Sequence, residues 1–231
     1  NTVKKVGRSR QGEATGLAFS PSGRYVVWRE TVGNEGALGR LVGHDLMEDR
    51  PFELTRGQFN DFSPAFSLDG RYLYFLSSRT IDPAYDEINF DLGFTNTVRP
   101  YVIALSAEEP APFGPSVDGW AISEAKKPEM ETKDEATDQD AVKPDVDVAL
   151  EGVEDRMVPL PVPAGRYDGL CATAEGVLWR RLTPHTGVLG SGQLPGQETK
   201  DSIEVYDVTK RKLTVVVDAC DDAAVSGDGR Q

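Results

Sequence analysis

The chain has 231 residues, 39% of them apolar and 27% charged, which is the make-up of a folded globular protein and not of a disordered tail. Asp and Glu number 38 against 25 Lys and Arg, and a net charge of −13 argues against a nucleic-acid partner, whose phosphates require cationic neutralisation. The densest apolar stretches, residues 73–76 and 215–217, are far shorter than the roughly 20 residues that cross a bilayer, and Lys4 and Lys5 have no apolar segment behind them, so a soluble, cytoplasmic protein with no membrane partner is expected.

In chain order the first recognisable element is a turn. Ala18-Phe19-Ser20-Pro21-Ser22-Gly23-Arg24-Tyr25-Val26 recurs 47 residues later as Ala65-Phe66-Ser67-Leu68-Asp69-Gly70-Arg71-Tyr72-Leu73. A degenerate copy is Cys171-Ala172-Thr173-Ala174-Glu175-Gly176-Val177-Leu178-Trp179, and another closes the chain at Ala224-Val225-Ser226-Gly227-Asp228-Gly229-Arg230. Ser, Asp or Glu before Gly supplies a side-chain acceptor and a residue tolerant of positive φ, which together reverse a strand. An apolar strand follows each turn: Tyr25-Val26-Val27-Trp28, Tyr72-Leu73-Tyr74-Phe75-Leu76 and Val177-Leu178-Trp179. Their near-continuous hydrophobicity fits strands covered on both faces. Two further strands complete the first unit at 39–46 and 50–55, and the third at 202–208 and 212–218.

A four-stranded unit repeating every ~40–50 residues is the signature of β-propeller blades. The expected fold is therefore all-β: a partial β-propeller of about three to four blades of four antiparallel strands, with a long acidic insertion in one blade. The blades divide at 1–59 (with an N-terminal strand of a preceding blade), 60–169, 170–220 and 221–231, the last being only the start of a blade. The second unit is interrupted. Its third strand at 98–105 is separated from its outer strand at 156–162 by residues 107–155, and the stretch 107–156 holds 15 acidic and five basic residues, net −10 of the total −13. Such composition reads as a solvated excursion from the blade rim, with Phe113 and Trp120 pinning its first part to the blade. An open arc of blades leaves unpaired flanks, so self-association is expected.

Catalytic machinery is not evident. Ser191 lies in Gly190-Ser191-Gly192 near His185, but a nucleophile elbow needs Gly-x-Ser-x-Gly on a strand-to-helix turn; a loop between strands accounts for both residues. His44 and Asp45 are strand neighbours that point to opposite faces, which disfavours a shared metal. Cys171 and Cys220 read as buried thiols, and neither a metal nor a cofactor is expected. The acidic residues before each turn are the candidate site. Asp61, Asp168, Asp221 and Asp222 fall at the starts of inner strands, which in a propeller border the central channel, where they would form a negative funnel favouring cationic peptides. Strand-end capping is the other role open to them.

From Ser63-Pro64-Ala65-Phe66-Ser67 the chain continues through Ser78-Arg79-Thr80-Ile81-Asp82-Pro83-Ala84-Tyr85-Asp86 to Phe90-Asp91-Leu92-Gly93-Phe94 and Arg99-Pro100-Tyr101. This resembles the second, seven-bladed propeller of the tricorn protease family, as do Gly152-Val153-Glu154-Asp155-Arg156 and the closing Val-Ser-Gly-Asp-Gly-Arg. The resemblance implies a fragment of a large cytoplasmic serine peptidase that forms homohexamers and cuts peptides released by the proteasome. It implies that the catalytic serine and histidine lie in later domains, with none carried here. The propeller's implied role is to guide and size-select peptides, with the remaining propeller and peptidase domains and further copies of the protein as partners. A propeller scaffold that docks other proteins through its rims is the alternative.

Overall fold

The computed structural model describes residues 3, 5–7, 9, 12–33, 38–81, 84–85, 92–94, 96–108, 112–113, 147–183, 200–220, 222–226 and 228–230. Three four-stranded antiparallel sheets follow one another. The first holds β1 (Thr15–Phe19), β2 (Tyr25–Val32), β3 (Leu38–Asp45) and β4 (Arg50–Glu53), in that order. The second holds β5 (Asp61–Phe66), β6 (Tyr72–Ser78), β9 (Val98–Ala104) and β10 (Met157–Pro159), with the short pair β7 (Ala84–Tyr85) and β8 (Leu92–Gly93) between β6 and β9. The third holds β11 (Tyr167–Ala172), β12 (Gly176–Arg181), β13 (Ser202–Asp207) and β14 (Lys212–Val217). Among the described residues there is no α-helix, only a 3-10 turn at Val153–Arg156, and no helix long and apolar enough to cross a membrane. The fold is the all-β partial propeller expected from the repeat.

The apolar strands are continuous because both of their faces are covered. In β6, Leu73 and Phe75 join Tyr25, Val27, Leu41 and Phe52 of the first sheet, whereas Tyr74 and Leu76 join Val177, Trp179 and Tyr206 of the third. The middle sheet thus feeds two cores from one strand by simple alternation. Each fully buried large side chain contributes about 1.5–3 kcal/mol of transfer free energy. On the far face of the first sheet Val26, Trp28 and Val42 form a smaller cluster, and Gly7 lies against the Trp28 indole. The described residues before Thr15 form no strand.

The turns follow the sequence motif in two units and depart from it in the third. Gly23 (φ 79°) and Gly70 (φ 73°) are left-handed, and Ser20 and Ser67 accept the Tyr25 and Tyr72 amides at 3.0 and 2.9 Å. In the third unit the turn is two residues shorter: Thr173 N–H donates to Gly176 O, where the others run from Ser20 to Tyr25 and from Ser67 to Tyr72. Gly176 serves close approach instead, since a Cβ there would collide with the Tyr206 carbonyl oxygen. The ladder pairs Phe19 with Val26, Phe66 with Leu73 and Ala172 with Val177. Trp179 is therefore the counterpart of Trp28 and Phe75, and not of Val26 as an equal-length alignment of the motif places it.

The expected boundary between 169 and 170 falls inside β11. The outer strand expected over 156–162 is a strand only over Met157–Pro159, with one further rung from the Leu160 amide to the Pro100 carbonyl at 2.9 Å, and Pro161 next in line brings no amide to the ladder. Most of the expected excursion lies outside the described residues. Its returning end is packed, with Val148, Leu150 and Val153 on the core between the first two sheets. Phe113 sits on Tyr206 of the third sheet, across the junction from the blade it was expected to pin, and Trp120 lies outside the described residues.

Candidate functional site: the inner strands

The strands that open each sheet lie side by side, with β5 touching β1 on one flank and β11 on the other. Each carries a bulge, shown by register shifts at Thr15/Ala18, Phe62/Ala65 and Asp168/Cys171. At each bulge one residue is left-handed: Gly16 (φ 64°), Ser63 (φ 50°) and Gly169 (φ 59°). The extra residue bends the strand and re-aims the side chains beside it. Neighbouring bulges abut, and a Cβ on Gly16 would meet Pro64 Cδ at 3.2 Å.

These bulges set the stations of the acidic residues. Asp61, one residue before its bulge, is 1% exposed and lies across from Ser77. Arg79 clasps it with Nη2 at 2.9 and 3.1 Å and Nε at 3.3 Å, and the Ser77 hydroxyl donates to it at 2.5 Å. The same guanidinium is surrounded by the rings of Phe59, Tyr101 and Phe75 at 5.0, 5.2 and 5.8 Å. Asp168 stands one ladder position further on, directly across from Arg180, which holds it at 2.8 and 2.7 Å. Asp168 and Asp222 share a cavity of about 130 Å³ with Gly169, Leu178, Arg180, Ile203 and Ala223. Hydrogen bonding to Asp168, against the opposing pull of burial, holds the Arg180 guanidinium above its ordinary pKa, and the Asp201 and Asp222 charges add to this. The structure thus brings Asp168 and Asp222 together and keeps Asp61 apart, while Asp221 lies outside the described residues.

The arginine partners were not anticipated from the sequence. Arg79 follows Asp61 by 18 residues and Arg180 follows Asp168 by 12, so only the strand register reveals the pairs. The Ser-Arg and Arg-Arg endings of the second strands were the available signal. Both carboxylates are paired with an arginine, but the Asp168 side chain is 33% exposed and that of Asp61 1%, so of the two only Asp168 presents charge to solvent.

Other titratable groups serve the framework. Burial alone would push the Asp45 carboxyl up, but Arg24 at 2.8 and 3.0 Å and the Glu48 and Met47 amides outweigh it and hold it below the usual range. His44 Nε2 lies 2.9 Å from Asp49 Oδ1, so His44 and Asp45 do face different partners. Burial, aided by the Asp222 charge, pushes the Cys171 thiol up, and the Cys220 thiol donates to the Asp222 carbonyl at 2.7 Å. Among the described residues no three His, Cys, Asp or Glu side chains gather as a metal site. Ser191 and His185 lie outside those residues.

Comparison with known proteins places the whole construction. The family described as the tricorn protease second beta propeller domain matches residues 1–231. Tricorn protease homolog 1 of Streptomyces coelicolor is 39% identical across 99% of the chain, and the tricorn protease of Thermoplasma volcanium is 27% identical across 99%. The chain spans about a fifth of the length of these relatives, 21% and 20% respectively. The crystal structure of the tricorn protease superposes with a TM-score of 0.71 at 23% identity, over 97% of this chain and 20% of that one. Three propeller-like sheets in series, with inner strands bulged and abutting, agree with the family match, and the chain belongs to the tricorn protease family as part of its second β-propeller domain.

Proposed function

We propose that this chain is a non-catalytic part of a tricorn-type peptidase, and that its inner strands border a passage which guides peptides and selects them by size. The observation that carries the reading is the side-by-side placement of β1, β5 and β11 in a chain of the second-propeller family. A ring of such strands leaves a narrow axial hole, and only an extended chain threads a hole of that kind. Asp168 and Asp222 are the described carboxylates that act on a passing peptide; they attract cationic segments and repel anionic ones. Asp61, clasped by Arg79, fixes the bulge of β5 and so shapes the wall. On this reading the remaining domains of the parent protein are the first partners, and the working particle is a cytoplasmic homo-oligomer.

The test uses the complete parent protease. Its cleavage rate is compared for unstructured peptides of graded length and charge, in wild type and in the double variant Asp168→Asn with Asp222→Asn. The expected result is a several-fold fall in the preference for cationic over neutral peptides at low salt, erased in both proteins at molar salt. The rate for a short neutral reporter should stay unchanged. An unaltered charge preference would remove these carboxylates from the passage, and efficient cleavage of folded substrates would remove the size selection.

A further inference from the structure

The insertion between β9 and β10 leaves the second sheet at one junction and rejoins it at the other. On the way out the Phe113 ring stands edge-on to Tyr206 of β13 with centroids 5.7 Å apart. Arg211 covers the Phe113 ring at 5.7 Å and donates to the Pro112 carbonyl at 3.2 Å. On the way back Asp147 accepts from Arg24 Nη1 at 2.6 Å and from the Tyr25 hydroxyl at 3.5 Å, both on the first sheet. The Ala149 amide donates to the Leu105 carbonyl at 2.9 Å. Arg156 then ties the return to the second sheet, with Nε to Ala104 O at 2.9 Å, Nη1 to Glu151 O at 2.8 Å and Nη2 to Ala149 O.

We propose that the two described ends of the insertion, Pro112-Phe113 and residues 147–156, brace the second sheet and fix its angle to each neighbour. An ionic latch at Arg24–Asp147 serves the first junction and an aromatic latch at Phe113–Tyr206 the second. The junction cores are apolar, and apolar burial is non-directional. Hydrogen bonds and edge-to-face rings impose geometry. Arg24 is already immobilised on the first sheet by Asp45 at 2.8 Å and its side chain is only 15% exposed, so closing the latch orders little more than Asp147 itself. The Asp147 side chain is 86% exposed, which makes the first latch sensitive to ionic strength. The second latch, built of rings, is not. The two ends therefore hold two junctions, one that responds to salt and one that does not.

Hydrogen exchange on the full parent protein tests this, read at single amides in Asp147→Asn, Tyr25→Phe and Phe113→Ala at low and molar salt. At low salt Asp147→Asn should speed exchange at Val148, Ala149 and the adjoining Leu46 and Leu105 amides about two- to fivefold, the range of a partly exposed ion pair. Molar salt should do the same to wild type, while β11–β13 remain unaffected. Phe113→Ala should speed exchange at 203–206 about tenfold at either salt and leave 147–150 unaltered. Tyr25→Phe, which deletes a single hydroxyl, reads the first junction even where the Phe113 variant does not accumulate. Unchanged exchange in both Asp147→Asn and Tyr25→Phe, or faster exchange that stops at the altered loop and never reaches Leu46 and Leu105, overturns the brace.

Discussion

Arg79 holds its charge between three aromatic rings while gripping a carboxylate that water does not reach. Breaking such a pair from one side is costly, because the remaining charge stays buried without compensation. Arg79→Ala should therefore destabilise the chain by about 3 kcal/mol or more, and Asp61→Asn by less, since the charge it leaves unpaired is the Arg79 guanidinium, whose side chain is 20% exposed and still reaches water, whereas Arg79→Ala strands the 1%-exposed Asp61. Urea unfolding measures both, and equal losses would mean that the ion pair itself sets the cost, with neither the ring packing nor the exposure of Arg79 adding to it. Asp45 and Asp207 add a pH dependence of definite sign. For both, burial raises the carboxyl pKa but is outweighed, by Arg24 at Asp45 and by Lys210 at Asp207, together with backbone amides. The unfolded chain then binds more protons than the folded one in the window below the ordinary value near 3.9, so stability rises with pH there. It is fully present above that value and lost as pH falls through the depressed folded values. Stability measured from pH 6 downward should stay level and then drop below about 4, less steeply in Asp45→Asn. The acids of the inner strands were legible in the sequence because they precede recognisable turns; their cations were not, because pairing across a ladder depends on register.

At the scale of the strand, the turn motif carried most of the information. Ser20, Gly23, Ser67 and Gly70 announced their roles, since a left-handed residue beside a hydroxyl acceptor has few other uses. The shortened turn at Thr173–Gly176 was hidden, because Glu175-Gly176 has the same composition as its counterparts while Gly176 serves close packing against Tyr206. The bulges were hidden as well: Phe62-Ser63-Pro64 contains no glycine, yet Ser63 adopts φ 50°. The three bulges make an ordered prediction. Gly169→Ala meets only Arg180 Cβ at 3.9 Å, so it pays the left-handed cost alone, about 1–2 kcal/mol. Gly16→Ala adds a contact with Pro64 Cδ at 3.2 Å from the neighbouring strand, and should be the more damaging of the two. Thermal unfolding of the pair checks the order, and a milder Gly16→Ala would show that the β1 and β5 bulges do not press on one another.

Among the described residues the three sheets form a row in which each packs on its neighbours, and stability in such a row is a sum of unit and interface contributions. The two interfaces here draw on opposite faces of one strand: Leu73 and Phe75 on one side, Tyr74 and Leu76 on the other. Trp179, fully buried, anchors the second interface; it stands edge-on to Tyr167 at 5.8 Å, lies parallel to Tyr206 at 6.5 Å, and its indole donates to Glu204 at 2.8 Å. Trp179→Ala empties that site and leaves the 3%-exposed Glu204 without its indole donor, a loss of about 3–5 kcal/mol. Because Trp179 contributes nothing to the first interface, the weakening should stay in the third sheet: faster hydrogen exchange in β12 and β13, unchanged exchange in β2 and β3. Phe75→Ala should do the converse, loosening β2 and β3 while β12 and β13 keep their protection. Uniform acceleration in all three sheets from either substitution would show that the row opens as one cooperative body, and that the middle sheet transmits strain between its faces instead of insulating them.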